Sequence, residues 1–169
     1  MANLGIHLIG RGGSGKTYIA RILSNKLQIP RLDLDEIFWS KTADSYGEMT
    51  PPVERDARLT AFLQQDEWIV EGVFHRWLFP SFQAATHIIV LTTPLWLSQT
   101  RTVRRFLRRK FGFESGKKET FRGLREFLAW NRDYDRDNLT RALAMLDEHG
   151  LHYIKCHNAL EMEEVFQRE

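Results

Sequence analysis

At 169 residues, with 43% hydrophobic and 27% charged residues, the chain has the size and composition of one globular domain with a substantial core. One cysteine, Cys156, excludes an internal disulfide and a Cys-based zinc cluster, and no apolar run reaches the roughly 18 residues of a membrane helix. Net charge is only +2, but residues 101–125 hold 10 of the 24 Lys and Arg and 2 of the 22 Asp and Glu, a basic window in an otherwise acidic chain that calls for an anion.

The N-terminus runs straight into a strand expected over 4–9, the apolar stretch Leu4-Gly-Ile-His-Leu-Ile9, so it does not read as a signal peptide. With the lone thiol this gives a reducing, cytoplasmic setting as the expectation. Gly10 to Thr17 then spell Gly-Arg-Gly-Gly-Ser-Gly-Lys-Thr, a complete G-x-x-x-x-G-K-[ST] phosphate loop. Gly10, Gly12, Gly13 and Gly15 let the backbone, with Ser14, curl its N–H groups into an anion nest. Lys16 supplies a charge for the β- and γ-phosphates, and the Thr17 hydroxyl suits Mg²⁺. A helix is expected over 15–27, where Ile19, Ala20, Leu23 and Leu27 recur at helical spacing before Pro30, and its N-terminal end adds to the site.

A second strand, 31–34, ends on Asp33 and Asp35, two apart, and alternation puts both on one side, near the phosphate loop. One could hold Mg²⁺ through water and the other accept a hydroxyl proton or bind substrate; the plainer alternative is that Asp35 caps the following turn. Ser40–Pro52 reads as a long loop, with Tyr46 as a candidate wall of an acceptor site, and a helix is expected over 52–65. The third strand, 67–71, ends on Glu71-Gly72: Glu71 is either an Mg²⁺-side carboxylate or a partner for Lys16, and Gly72 lets backbone pass close to substrate.

A fourth strand is expected over 86–91 and a helix over 94–111, on which Arg101, Arg104, Arg105 and Arg108 fall on one face and Trp96, Val103, Phe106, Leu107 and Phe111 on the other. With no acid interleaved, Arg101 and Arg105 are candidates for holding a transferring phosphoryl group. Gly112–Lys118 looks like a tip before a long helix, 119–148, where Arg132 and Arg136 could close over a nucleotide. The last strand and helix are expected over 151–155 and 158–167. His7 and His152 read as core residues, and Trp39, Trp77 and Trp96 as core or interface aromatics rather than base-stacking platforms. The alternation of strands and helices predicts an α/β, three-layer fold: a parallel sheet with helices on both faces and ligands beyond the carboxyl ends of its strands.

Gly10–Thr17, Leu32-Asp-Leu-Asp-Glu-Ile-Phe-Trp39, Glu71-Gly-Val-Phe-His-Arg76, Pro94-Leu-Trp96 and the Arg101/Arg104/Arg105 helix occur in order. Together they resemble the adenylate-kinase-like P-loop proteins often labelled DNA topology modulation proteins, nearly over the whole chain. In that family Asp35 matches a shared Asp, Asp33 stands where His is typical, Glu71 where Asp is more usual, and Thr93 where an acid is common. The resemblance implies a P-loop NTPase domain spanning 1–169 with a five-stranded parallel sheet, an Arg-bearing lid around 105–120, binding of ATP and Mg²⁺, and a place for Arg76 near an acceptor phosphate. The expected partners are a nucleotide and a small-molecule acceptor. A nucleic-acid-associated NTPase and a nucleotide-binding regulator with little turnover are the alternatives; no nucleic-acid-binding motif favours the first, and the sequence leaves the oligomeric state open.

Overall fold

The computed structural model describes residues 3–40, 48–113 and 120–162. Five strands, β1 (Leu4–Gly10), β2 (Arg31–Asp33), β3 (Glu67–Gly72), β4 (His87–Leu91) and β5 (Ile154–Cys156), form one parallel sheet in the order β2-β3-β1-β4-β5. Alternating side chains divide the apolar residues between the two faces, as a doubly covered sheet requires. Ile6 and Leu8 of β1, with Ile69 and Ile89, pack against Ile19 and Leu23 of α1 (Lys16–Leu27). Ile9, Trp68, Val70, Ile88 and Val90 face the opposite layer, where they meet Leu34, Phe82, Tyr134 and Leu146.

That opposite layer holds α2 (Leu34–Phe38), α3 (Pro52–Leu63), α4 (Phe79–Ala84) and the long helical element that begins with α6 (Phe121–Tyr134). The two short helices α2 and α4 were not expected, because five and six residues give periodicity too little length to show. Position explains them instead: Asp33 accepts a hydrogen bond from Asp35 N at 3.0 Å and caps α2, and Pro80 sits in the first turn of α4. The helix expected over 119–148 is α6, a π turn at Asp135–Leu139 and α7 (Thr140–Glu148), where Thr140 Oγ1 bonds back five residues to Asp135 O at 2.8 Å.

The remaining elements follow the sequence reading with shifted ends. α5 (Leu95–Lys110) matches the arginine-rich helix, and β5 starts later than expected, leaving His152 exposed outside the sheet rather than in a core. His7 is a core residue: fully buried on β1, its Nδ1 lies 2.8 Å from Ser81 Oγ and its ring stacks on Phe82 at 4.1 Å. Burial pushes its pKa down to about 3. Tyr46 and most of the 112–118 tip lie outside the described residues, as does the end of the last expected helix, of which 159–162 are helical. Among the described residues no helix is long and apolar enough to cross a membrane.

Candidate active site

The site lies where β1 and β3 end and α1 begins. Gly13 and Gly15 carry positive φ of 79° and 101°, which turns the loop's amides inward before α1 starts at Lys16. Gly10 and Gly12 serve packing instead: a Cβ would lie 2.7 Å from Leu91 O in the first case and 2.3 Å from the Phe127 ring in the second. Lys16 is buried and its Nζ donates to Arg11 O at 2.8 Å, which crosses the mouth of the loop. Burial lowers its pKa, and the fields of Glu71, Asp35 and Asp33 act the other way. Thr17 is exposed at the first turn of the helix, and its hydroxyl acts against the rise in the Glu71 pKa. A cavity of about 320 Å³ is lined by Gly13, Gly15, Lys16, Thr17, Arg101 and Arg105.

The carboxylates arrive from two adjacent strands, since Asp33 pairs with Glu71 across β2 and β3. The expectation that strand alternation aligns Asp33 and Asp35 is corrected here. The strand ends at Asp33, and Asp35 is the second residue of a helix, exposed, while Asp33 rather than Asp35 is the cap. Both still act on Lys16 through their charge, so the helix brings Asp35 to the site by a different route. Glu71 is buried with Oε1 unpartnered among the described residues, and Lys16 points to the Arg11 carbonyl rather than to it. Burial, reinforced by Asp33, pushes the Glu71 pKa up to about 7. A buried carboxylate oxygen without a partner near an exposed threonine hydroxyl suits a hydrated divalent cation at Thr17. Among the described residues no three His, Cys, Asp or Glu side chains form a ligand set by themselves.

Gly72 carries a packing constraint: a Cβ there would lie 2.6 Å from Leu34 Cδ1, so the glycine lets α2 close onto β3. Arg76 is exposed in the segment after β3 and does not line the phosphate-loop cavity.

The arginine stripe is also corrected. Arg101 Nη1 donates to Ser14 O at 3.3 Å, and Arg105 lines the loop cavity and acts on Lys16. Arg104 and Arg108 turn to the other side of α5, beside Trp96, Val103, Leu107 and Phe111. Spacings of three and four residues spread the four arginines across an arc wide enough for two surfaces. Only Phe106 of the apolar set is buried, and Trp96 is 69% exposed, so it is no core aromatic; Trp39 and Trp77 are half-buried around Phe38 and Phe74. Arg132 and Arg136 pair with Asp133 and Asp137 on an exposed surface and do not close over the loop.

Sequence reading missed the other grip on the loop. Arg11, Asn131 and Asp135 touch it or hold it, and Thr93 Oγ1 lies 3.0 Å from Ser14 O and 3.1 Å from His157 O. A hydroxyl fills that position where an acid was noted as usual, and it ties the loop to the end of β5. No periodicity or motif marks such contacts, because they join residues 64 to 124 apart in sequence.

Strand order, phosphate loop and helical layers define the fold of the P-loop kinases. Over 98% of this chain and 95% of the other it is similar to the solved shikimate kinase from Bacteroides thetaiotaomicron, at 16% identity and a TM-score of 0.54. A gluconokinase from Sinorhizobium meliloti 1021 is similar over 95% of this chain and 87% of that one, at 12% identity and a TM-score of 0.52. In sequence, the chain is 36% identical over 96 residues to a shikimate kinase of Enterococcus faecalis, a match covering 49% of this chain and only 57% of that protein. It is 27% identical over 158 residues to the uncharacterized protein YqaC of Bacillus subtilis, covering 89% of this chain and 84% of that one. No family model matches the sequence.

Proposed function

We propose that this protein is a P-loop kinase that transfers the γ-phosphoryl group of Mg·ATP to a small acceptor bearing a hydroxyl or phosphate. The observation that carries this reading is Lys16: a buried ammonium held on the Arg11 carbonyl, with three carboxylates acting on it from the β2–β3 side and Arg105 from α5. A nucleotide-binding protein needs the lysine and the loop. A kinase needs, in addition, carboxylates on the acceptor side and cations over the transferring group.

In this reading the loop amides and Lys16 bind the β- and γ-phosphates. Mg²⁺, when bound, neutralises charge on those oxygens; Thr17, with Asp33 or Glu71 through water, would hold it. Asp35 orients an acceptor hydroxyl and takes its proton as the acceptor oxygen bonds to the γ-phosphorus and the bond to the β-phosphate oxygen breaks, releasing ADP. Arg101 and Arg105 balance charge on the transferring group, and Arg76 and the chain around Gly72 serve the acceptor. A lid around 105–120 of a single domain spanning 1–169 closes and excludes water that would otherwise hydrolyse ATP. The likeness to named shikimate and gluconate kinases supports a hydroxyl acceptor. The motif resemblance to DNA topology modulation proteins supports the same fold without adding a chemistry. The division of α5's arginines between two faces favours this reading over a nucleic-acid-binding NTPase, which would use one continuous basic surface. A cytoplasmic site of action goes with it.

The test is ADP release from Mg·ATP across nucleosides, nucleoside monophosphates and small hydroxylated acids, with Lys16→Ala and Asp35→Asn as controls. Stimulation by one acceptor, lost in both variants, is expected. Tight Mg·ATP binding with no acceptor-dependent ADP release would leave a nucleotide-binding regulator instead.

A further inference from the structure

We infer that the helical turn from Asn131 to Asp135 is a clasp that sets the geometry of the phosphate loop, and that Asp135 and Asn131 are positioning residues for nucleotide binding; this rests on the kinase reading above. Asn131, Tyr134 and Asp135 are spaced i, i+3 and i+4 and share one face of the helix. That face holds the loop at two points. Asp135 forms a two-pronged ion pair with Arg11, one contact being Arg11 Nε to Oδ1 at 3.1 Å. Asn131 Nδ2 donates to Gly12 O at 2.9 Å. From the same face Tyr134 donates to Val73 O at 2.9 Å, just past the end of β3.

The path to the lysine is short. The Arg11 guanidinium is 7% exposed and ion-paired with Asp135, which compensates its charge in that setting. Its own carbonyl is the acceptor for Lys16 Nζ at 2.8 Å and for Ser14 N at 3.3 Å. Fixing the Arg11 side chain therefore fixes the peptide on which the lysine rests. Asn131 is fully buried, and its orientation is set: turning the amide over would bring Oδ1 against the Gly12 carbonyl. Asn131 Oδ1, Arg11 Nη1 and Ser14 Oγ are then all buried with no partner among the described residues. Unpaired buried polar atoms are costly, so the contacts that do form around this loop, to Asp135 and to the Gly12 carbonyl, carry its geometry. Asp135 also opens the π turn, a departure from α geometry that recurs at functional sites.

The measurement is the affinity for Mg·ADP by titration calorimetry, with hydrogen exchange of the Gly12–Lys16 amides and the melting temperature read on the same samples. Asp135→Asn is expected to weaken binding roughly tenfold and speed exchange in the loop, and Asp135→Glu to restore much of the affinity. Arg11→Lys, which keeps charge but loses the planar fork, is expected to weaken binding similarly, and the Arg11→Lys/Asp135→Asn pair no more than either alone. Arg11→Lys alone also serves as the test if Asp135→Asn does not fold. Arg136→Gln, on the same helix but exposed and paired locally, is expected to bind like wild type. Binding by Asp135→Asn and Arg11→Lys within about twofold of wild type, with loop exchange unchanged, would overturn the clasp and leave the kinase reading standing. A wild type that does not bind Mg·ADP would overturn both.

Discussion

The phosphate-loop side and the β2–β3 side of the site are built on opposite principles. On the loop side, apart from the Arg11–Asp135 ion pair, the side-chain contacts named above end on backbone: Lys16 on Arg11 O, Arg101 on Ser14 O, Asn131 on Gly12 O and Thr93 at Ser14 O. On the β2–β3 side, Asp35 and Arg76 are exposed, and Glu71 is buried with an unpartnered oxygen and a pKa pushed up to about 7. The first side is preorganised, so its ligand finds charges already in place. The second holds one buried carboxylate oxygen, Glu71 Oε1, without a partner among the described residues, and in the proposed reading a hydrated cation would meet it. If the protein is the kinase proposed above, that asymmetry would let the acceptor complete the reactive side and so limit wasteful ATP hydrolysis.

The strongest way to break the comparison is at Lys16. Lys16→Ala should lower turnover by about 100-fold or more, and nucleotide affinity should fall with it, read by steady-state kinetics and calorimetry. Asp35→Asn should also lower acceptor-dependent turnover by roughly 100-fold, but with Mg·ATP affinity within about twofold of wild type. Equal losses of nucleotide affinity in the two variants would erase the distinction between the two sides. Arg105→Ala and Arg104→Ala sharpen it further. The first should cost about 10-fold or more in kcat, whereas the second, turned to the other face of α5, should leave kcat within about twofold.

Stability separates the two sides as well. Gly72→Ala should cost about 1–3 kcal/mol in denaturant unfolding, since its Cβ would meet Leu34 at 2.6 Å. The smallest expected effect is at Glu71. Its folded pKa of about 7 lies above the ordinary 4.5, so between these values the folded state holds a proton that the unfolded chain has released. Stability from this group is therefore greatest at low pH and is lost as pH rises from 4.5 to about 7. Glu71→Gln should flatten that part of the melting-temperature profile, while weakening the dependence of nucleotide binding on Mg²⁺. A variant profile that follows the wild type would place the buried charge elsewhere.

What the sequence made legible followed from local rules. The loop motif, the apolar strands and the amphipathic α1 and α5 each announce themselves within a short window, and the sheet follows from their alternation. The carboxylates were found for a partly mistaken reason: alternation was carried through Asp35, although the chain had already turned into a helix capped by Asp33. The arginine stripe was seen but not its division, because spacing gives a face without saying what packs on each edge. Arg11, Asn131 and Asp135 were beyond sequence reading, since their meaning lies in contacts 119 and 124 residues apart.

The most direct test of the central claim is a single-turnover reaction with ATP labelled in its γ-phosphate, run with the acceptor that stimulates ADP release and followed by where the label goes. The account predicts label in the acceptor, little in inorganic phosphate, and loss of transfer in Asp35→Asn with nucleotide still bound. Label appearing only in inorganic phosphate, or remaining in bound ATP whatever the acceptor, would contradict it.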